Sequence, residues 1–148
     1  MSNRPKVTEA MKLEAARLIA KDMGAKENQI EEYASCIADN MHHTDGFQIA
    51  YGMARGGFDG LTAEDVEHLD CAWSRLLMIH NEACKKWAME NNLLPPYPIG
   101  TITTQGAITG ICPYGAAQYE IKPIGQDDAT TGCRRRIVCF EDVVLGEG

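Results

Sequence analysis

Three prolines within four residues divide the chain into two parts with different hydrophobic periodicity. They stand in Leu94-Pro95-Pro96-Tyr97-Pro98, where missing amide hydrogens and restricted backbone angles end a helix and favour an extended connection. Before this segment apolar residues recur at spacings of three and four, and after it the spacing falls toward two. The sequence therefore predicts a helical region over residues 1–95 and a small β core over residues 96–148, together forming one compact unit.

Capping residues and glycines mark the expected helices. Thr62 precedes Ala63-Glu64-Asp65 and combines an N-cap with acids in the first turn, so a helix is expected to begin at Ala63. No breaker follows before Pro95, so this helix is expected to run for about 30 residues. Three earlier helices are predicted over residues 8–24, with Thr8 as the N-cap, 27–42 and 47–54.

An apolar seam with heptad spacing follows the predicted long helix. Such a seam is typical of a helix packed on another helix, and a helix of this length exceeds what a small monomer readily covers. The sequence therefore predicts a homo-oligomer assembled through the 63–94 helix. The seam positions are Val66, Trp73, His80, Trp87 and Leu94, with Leu69, Leu76 and Ala83 between them.

The C-terminal third predicts four or five short antiparallel strands. Tyr119 and Ile121 alternate with Glu120 and Lys122, as in a strand with one buried face. A few short strands in about 50 residues form a small sheet or barrel that packs on helices, so the predicted fold class is α+β. The expected strands lie near residues 99–104, 107–112, 116–123 and 134–144.

Composition and charge exclude several classes of function. No apolar run approaches the ~20 residues of a membrane helix, and no signal-type segment opens the chain. We therefore expect a cytoplasmic protein without a membrane partner. The net charge of -7 argues against generic nucleic-acid binding. Six irregularly spaced cysteines, without a secretion signal, are expected to be reduced and mostly buried thiols.

Several segments of the β region resemble a module of small phage and prophage accessory proteins. They are Gly100-Thr-Ile, Gly106-Ala-Ile-Thr-Gly-Ile, Tyr114-Gly-Ala-Ala-Gln-Tyr-Glu-Ile-Lys-Pro and Ile137-Val-Cys-Phe-Glu-Asp. The resemblance covers residues 97–145 and implies a five-stranded barrel of the Src-homology type in a phage setting, rather than a particular chemistry. Such proteins are often anti-defence factors, which sequester a nucleotide signal or occupy a defence protein in the host cytoplasm.

The overall plan is also similar to that of oligomeric sponge proteins, which sequester cyclic ADP-ribose signals of the Thoeris type. In both groups helices are followed by a compact β core. No ligand-binding residue of those proteins matches a position of this chain, so this resemblance assigns no site.

A run of three arginines is the main candidate for a ligand site. In a strand, Arg134 and Arg136 would share one face and present two guanidinium groups to a phosphate or carboxylate. The preceding Gly125–Gly132 loop supplies hydroxyl groups, and Tyr114 is either a ring that stacks on a base or a core residue. The alternative is that the arginines pair with nearby acids, which are Asp127, Asp128, Glu120 and Glu141. The candidate ligand contacts are Arg134, Arg135, Arg136, Thr130, Thr131 and Tyr114.

No catalytic residue, metal site or cofactor is predicted. The His68/Cys71 and His80/Cys84 pairs face nearly opposite directions on one helix and do not complete one zinc site. The sequence contains neither G-x-S-x-G nor C-x-x-C, and no motif supports a cysteine nucleophile paired with His42 or His43.

The segment Arg55-Gly56-Gly57-Phe58 has two interpretations. It is a helix terminator with a basic residue near the negative end of the helix, or it is a place where the backbone approaches a ligand and Arg55 supplies charge.

These observations favour a non-enzymatic, oligomeric accessory or anti-defence protein that binds an anionic, nucleotide-like small molecule. The second hypothesis is a protein-protein inhibitor or scaffold whose acidic helical face binds a host defence protein or a nucleic-acid-binding protein. A hydrolase or metalloenzyme of unrecognised type is the third. The acids expected to act in the second hypothesis are Glu31, Glu32, Glu64 and Glu67.

Overall fold

The computed structural model describes residues 3–126 and 134–147 and has the predicted α+β fold. In these residues five α-helices precede a four-stranded antiparallel sheet. The chain divides into two compact units. The helical unit is Pro5–Glu82, and the sheet unit comprises residues 3–4 together with the described residues from Ala83 onward. None of the helices in the described residues combines the length and apolarity needed to cross a bilayer.

Two helices of the helical unit begin at the capping residues that the sequence predicts, Thr8 and Thr62. The Thr8 hydroxyl accepts a hydrogen bond from the Met11 amide, and Thr62 forms a reciprocal capping box with Asp65. Each cap satisfies an amide that would otherwise lack a partner at the helix start. The helices are α1 Glu9–Asp22, α2 Ile30–Asn40, α3 Gly46–Arg55 and α4 Ala63–Asp70, with α5 Ala72–Glu90 crossing into the sheet unit.

The predicted long helix is present with one interruption and an earlier end. At Cys71, between α4 and α5, the amide donates to the His68 carbonyl three residues back. The helix ends at Glu90 rather than at Leu94, because Asn92 adopts a left-handed conformation with φ of 48°. Asparagine tolerates this conformation better than most residues, so the helix closes before it reaches the prolines.

The core of the helical unit covers much of the seam that predicted an oligomer. Leu69 and Leu76 are fully buried among residues of α1, α2 and α3. The Trp73 indole donates a hydrogen bond of 2.9 Å to the His43 carbonyl, and His80 Nε2 lies 2.9 Å from the Pro5 carbonyl oxygen. Because these seam residues have partners in their own chain, the seam no longer argues for a second copy, and the homo-oligomer stays a prediction.

The sheet is open rather than closed into a barrel. Its strands are β1 Ile102–Thr103, β2 Gly106–Ile111, β3 Gln118–Pro123 and β4 Arg136–Cys139, in the order β1-β2-β3-β4. A short 3-10 helix follows, and Leu145 then makes only an isolated bridge to Thr103. In the described residues the fifth strand and the barrel implied by the resemblance are therefore absent.

The core of the sheet unit confirms the alternation predicted for β3. Tyr119 and Ile121 are fully buried, and they pack with Ile108 of β2 and Val138 of β4. The Tyr119 hydroxyl donates to the Tyr97 carbonyl and accepts from the Tyr97 amide, both at 2.7 Å. This residue therefore ties the proline-rich segment, residues 94–98, to the centre of the sheet.

The five cysteines in the described residues form no disulfide and differ in exposure. Cys84 and Cys112 are buried, Cys36 and Cys139 are partly buried, and Cys71 is exposed. The prediction of buried thiols is therefore correct for two of these five.

Candidate functional site

The structure does not gather the arginine run and Tyr114 into one site. Arg134, Arg135 and Arg136 are exposed at the start of β4, and Arg136 donates a hydrogen bond of 3.3 Å to the Gln105 side chain. Tyr114 is 82% exposed in the turn before β3. Because Ile121 pairs with Arg136 and Gln118 with Cys139, Tyr114 lies at the opposite end of the β3–β4 ladder from the arginines.

Two other candidate ligand contacts, Thr130 and Thr131, lie outside the described residues, as do Asp127 and Asp128. Glu141, one of the acids proposed to pair with the arginine run, contacts Arg4.

A polar cleft lies between the end of α2 and one face of α3. Its volume is about 680 Å³, and all of it belongs to the helical unit. Gly52 permits the close approach of the two helices, because a Cβ atom at this position would overlap the Asn40 side-chain oxygen. The lining residues are Asn40, His42, His43, Gln48, Tyr51, Gly52, Arg55 and Gly56.

Local structure orients the side chains at the two ends of the cleft. The Asn40 amide donates to the Cys36 carbonyl at 2.9 Å, and His42 Nδ1 lies 3.0 Å from the Asp39 carbonyl oxygen. The His42 and His43 rings are in contact, with their centroids 4.0 Å apart. The α3 helix ends at Gly56, whose amide donates to the Gly52 and Met53 carbonyls. Arg55 therefore stands in the last turn, at the mouth of the cleft.

The charge of the cleft differs in sign from that of the whole chain. The net charge of the protein is -7, yet the cleft is lined by a guanidinium group, two imidazoles, two carboxamides and a phenol, and by no carboxylate. Arg55 is exposed and forms no ion pair with any described residue. A cation, hydrogen-bond donors and a ring with an exposed face form a lining suited to a small anion that carries a planar group.

Cys36 lies beside the cleft residues Asn40 and Gly56. Its sulfur lies 3.9 Å from the Asn40 amide nitrogen. Burial raises the pKa of the Cys36 thiol, and the charges of Asp39 and Glu32 raise it further. Because the thiolate is the reactive form, these surroundings do not favour nucleophilic chemistry by Cys36 with His42 or His43.

A second cleft, of about 470 Å³, lies in the sheet unit and is mainly apolar. It is lined by Trp87, Tyr97 and Phe140 among others, with Arg4 and Glu141 at its rim. The Arg4 guanidinium lies 4.9 Å from the Trp87 ring centroid and donates to Glu141 and to the Ala116 and Ala117 carbonyls. Arg4 is therefore fully engaged by its own unit.

Local sequence signals identify one member of the polar cleft, Arg55, which precedes two glycines and is a candidate ligand-binding charge. Tyr51 stands one helical turn before it, so both residues lie on one side of α3. The contribution of His42 and His43 depends on how α2 packs against α3, which no local pattern reports.

In the described residues no group of three or more His, Cys, Asp and Glu side chains is placed to hold a metal ion. Comparisons with protein-family models, curated proteins and solved structures find no match to this chain.

Proposed function

We propose that this chain is a non-enzymatic binding protein for a small anionic, nucleotide-like ligand, and that the ligand occupies the cleft between α2 and α3. The observation that carries the proposal is a carboxylate-free polar lining around Arg55 in a strongly acidic chain. Elsewhere an acidic surface repels anions, so a local cluster of donors determines where an anion binds.

Each side of the cleft has a distinct role in this proposal. The Arg55 guanidinium binds the phosphate or carboxylate through two parallel hydrogen bonds. The Tyr51 ring, which is 62% exposed, stacks on the planar group of the ligand. Gln48, His42 and His43 supply further donors near the anion. Retention of the ligand, without reaction, is the sequestration that the phage anti-defence resemblance implies.

The proposal is tested by titrating the protein with adenosine 5′-monophosphate, inorganic phosphate and adenosine while recording amide NMR shifts. We expect the nucleotide to perturb residues of the cleft. Arg55→Gln weakens nucleotide binding at least about tenfold, because a charge-assisted hydrogen bond contributes about 1.5–3 kcal/mol. Tyr51→Leu weakens binding of the nucleotide but leaves binding of phosphate unchanged.

Two variants serve as controls for the location of the site. Arg75→Gln removes a half-exposed arginine of α5 that pairs with Asp22 and is expected to leave binding unchanged. The double variant Arg134→Gln/Arg136→Gln tests the arginine run. Loss of binding in this double variant, with Arg55→Gln unaffected, would contradict the cleft assignment. Absence of binding of both nucleotide and phosphate to the wild type would overturn the proposed function.

Native mass spectrometry of protein purified from its producing cells tests the oligomer at the same time. It reports the number of subunits and the mass of any retained small molecule. We expect an oligomer with a retained nucleotide-sized mass that Arg55→Gln removes. A ligand-free monomer would contradict both the oligomer and the sequestration.

A further inference from the structure

We propose that the groove between α3 and α4 is a docking site for a basic amphipathic helix of a protein partner. The groove has a volume of about 320 Å³ and lies within the helical unit. It is separate from the proposed ligand cleft except at Tyr51, which lines both, and it does not rest on the small-ligand function. Its walls are Phe47, Ala50, Tyr51 and Ala54 of α3, residues 58–61, and Val66 of α4.

The first observation is a pair of exposed aromatic rings on one helix face. Phe47 is 71% exposed and Tyr51 is 62% exposed, and they stand four residues apart on α3. The opposite face of α3 is already used, because Ile49 and Met53 are fully buried in the core. Neighbouring large apolar side chains in water mark a surface that gains stability when another protein covers them.

The second observation is that α3 is held rigidly beside α4. The Gly46 amide donates a hydrogen bond of 2.5 Å to the Asp70 carboxylate. A Cβ atom at Gly46 would overlap the Val66 carbonyl oxygen, so the first turn of α3 lies directly against α4. The groove is therefore formed before a partner arrives, which lowers the entropy cost of binding.

The third observation concerns charge and identifies the occupant. Between Gly56 and Asp70 the chain contains five carboxylates and no lysine or arginine. Asp65 and Asp70 are engaged as caps of α4 and α3, whereas Asp59, Glu64 and Glu67 are exposed, and Asp59 lines the groove itself. An apolar groove with an acidic border selects a helix with an apolar stripe flanked by lysine or arginine.

The same charges disfavour a second copy of this chain as the occupant. A two-fold pairing of identical surfaces would bring the exposed acids of one α4 close to those of the other. Because like charges across an interface reduce affinity, the border favours a partner of opposite charge. The groove is small, so we expect dissociation constants on the order of micromolar for an isolated helix.

The test uses two fluorescent 18-residue peptides with the same leucine stripe, one with lysines on its polar face and the other with glutamates. Binding to the full chain is measured by fluorescence anisotropy. We expect the lysine peptide to bind, with an affinity that falls as salt is added, and the glutamate peptide to bind at least about tenfold more weakly.

Matched variants locate the binding. Phe47→Ser is expected to weaken binding of the lysine peptide about tenfold or more, as for a residue at the centre of an interface. Met78→Ser removes an apolar side chain that is 62% exposed on α5 and outside the groove, so it is expected to have no effect. Asp59→Asn weakens binding about threefold and reduces its salt dependence, as expected for a charge at the border of the site. Circular dichroism checks that each variant is folded.

Several results would overturn the proposal. These are equal affinity for the two peptides, equal effects of Phe47→Ser and Met78→Ser, or binding that does not respond to salt. A dimer of the wild-type protein that Phe47→Ser converts to a monomer would identify a second copy as the occupant instead. Because Arg55→Gln disrupts only the ligand cleft, loss of nucleotide binding with unchanged peptide binding separates the two proposals.

Discussion

The hydroxyl group of Tyr119 links the proline-rich segment to the centre of the sheet. The side chain is fully buried, and its hydroxyl bonds to both the amide and the carbonyl of Tyr97. Tyr119→Phe leaves these two backbone groups without that partner, so we expect the free energy of unfolding to fall by about 1–3 kcal/mol. Urea denaturation measures this change.

The matched control for this substitution is Tyr114→Phe. The Tyr114 side chain is 82% exposed, so its variant is expected to stay within about 0.5 kcal/mol of the wild type. Equal urea denaturation midpoints for Tyr119→Phe and Tyr114→Phe would show that the buried hydroxyl of Tyr119 contributes nothing measurable to the free energy of unfolding.

The contact between Arg4 and Glu141 predicts loss of stability in acid. The hydrogen bond from Arg4 lowers the pKa of Glu141 below its ordinary value of 4.5, against the opposing effect of burial. A carboxyl with a lowered pKa in the folded state stabilises the protein above its unfolded pKa, and this stability is lost as pH falls through the folded pKa. We therefore expect thermal stability to decline as the pH falls below about 4.5.

Glu141→Gln should reduce the loss of thermal stability at low pH. Adding Arg4→Gln to that variant should reduce it no further, because the contact between the two residues is already broken. Both the single and the double variant should keep part of the dependence of melting temperature on pH, because Arg17 similarly lowers the pKa of Glu31. Melting temperatures measured from pH 3 to pH 7 give the slopes. A slope unchanged by Glu141→Gln would contradict the prediction.

The sequence predicts the burial of Tyr119, but it does not predict the contacts that Tyr119 and Arg4 make. The alternation along β3 predicts that Tyr119 is buried, but not that its hydroxyl bonds to Tyr97, which is 22 residues away. The contact of Arg4 with Glu141 is harder still to predict, because Glu141 lies 137 residues further along the chain. Patterns of local spacing report which face of an element is buried, and they contain no information about such distant pairs.

At the scale of elements, the junction of α3 and α4 depends on the absence of a side chain at Gly46. A methyl group there would overlap the Val66 carbonyl oxygen and crowd the Asp70 carboxylate that accepts the hydrogen bond from the Gly46 amide. We expect Gly46→Ala to lower the free energy of unfolding by about 1–3 kcal/mol, in spite of the higher helix propensity of alanine. Denaturant titration followed by circular dichroism measures the effect.

Gly110→Ala is the comparison for Gly46→Ala. A Cβ atom at Gly110 would meet only the Glu120 side chain, at 3.5 Å, which is ordinary contact. We expect its effect on the free energy of unfolding to stay below about 1 kcal/mol. If Gly46→Ala proves as mild, α3 and α4 can separate at little cost, which would also weaken the argument for a preformed groove.

Some ends of helices and strands can be predicted from residues that are close in sequence, and others cannot. Thr8 and Thr62 are predicted as caps and act as caps, because capping involves residues only three positions apart. The interruption at Cys71 has no proline or glycine to mark it, and the prolines that follow α5 begin five residues after its last residue, Glu90. Closure of the sheet is likewise unpredictable from strand patterns, because it depends on whether the residues around Leu145 pair fully with β1 or make only the observed bridge.

At the scale of the whole molecule, the seam shows how a correct pattern led to an unsupported inference. The heptad spacing correctly indicates buried positions, and Leu69 and Leu76 are fully buried. Periodicity alone does not say which surface covers them. Here Leu69 and Leu76 share one core with residues of α1, α2 and α3, so the helices of a single chain already cover these two seam positions.

The thiols report on the packing of both units at once. Cys71 is exposed, whereas Cys84 and Cys112 are 3% and 7% exposed. Labelling with N-ethylmaleimide under native conditions, followed by peptide mass spectrometry, should modify Cys71 first. We expect Cys84 and Cys112 to react at least roughly a hundredfold more slowly, because they become accessible only through an opening that costs ~2.7 kcal/mol or more.

Cys36 should fall between these extremes for two reasons. It is partly buried, and burial together with Asp39 and Glu32 raises its pKa, so little thiolate is present near neutral pH. In urea the labelling rates of Cys36, Cys71, Cys84 and Cys112 should become similar, because all four thiols are then exposed to solvent. Labelling of Cys84 or Cys112 as fast as Cys71 in the native protein would mean that the core around that thiol opens readily, and it would contradict the packing described for the sheet unit, to which both belong.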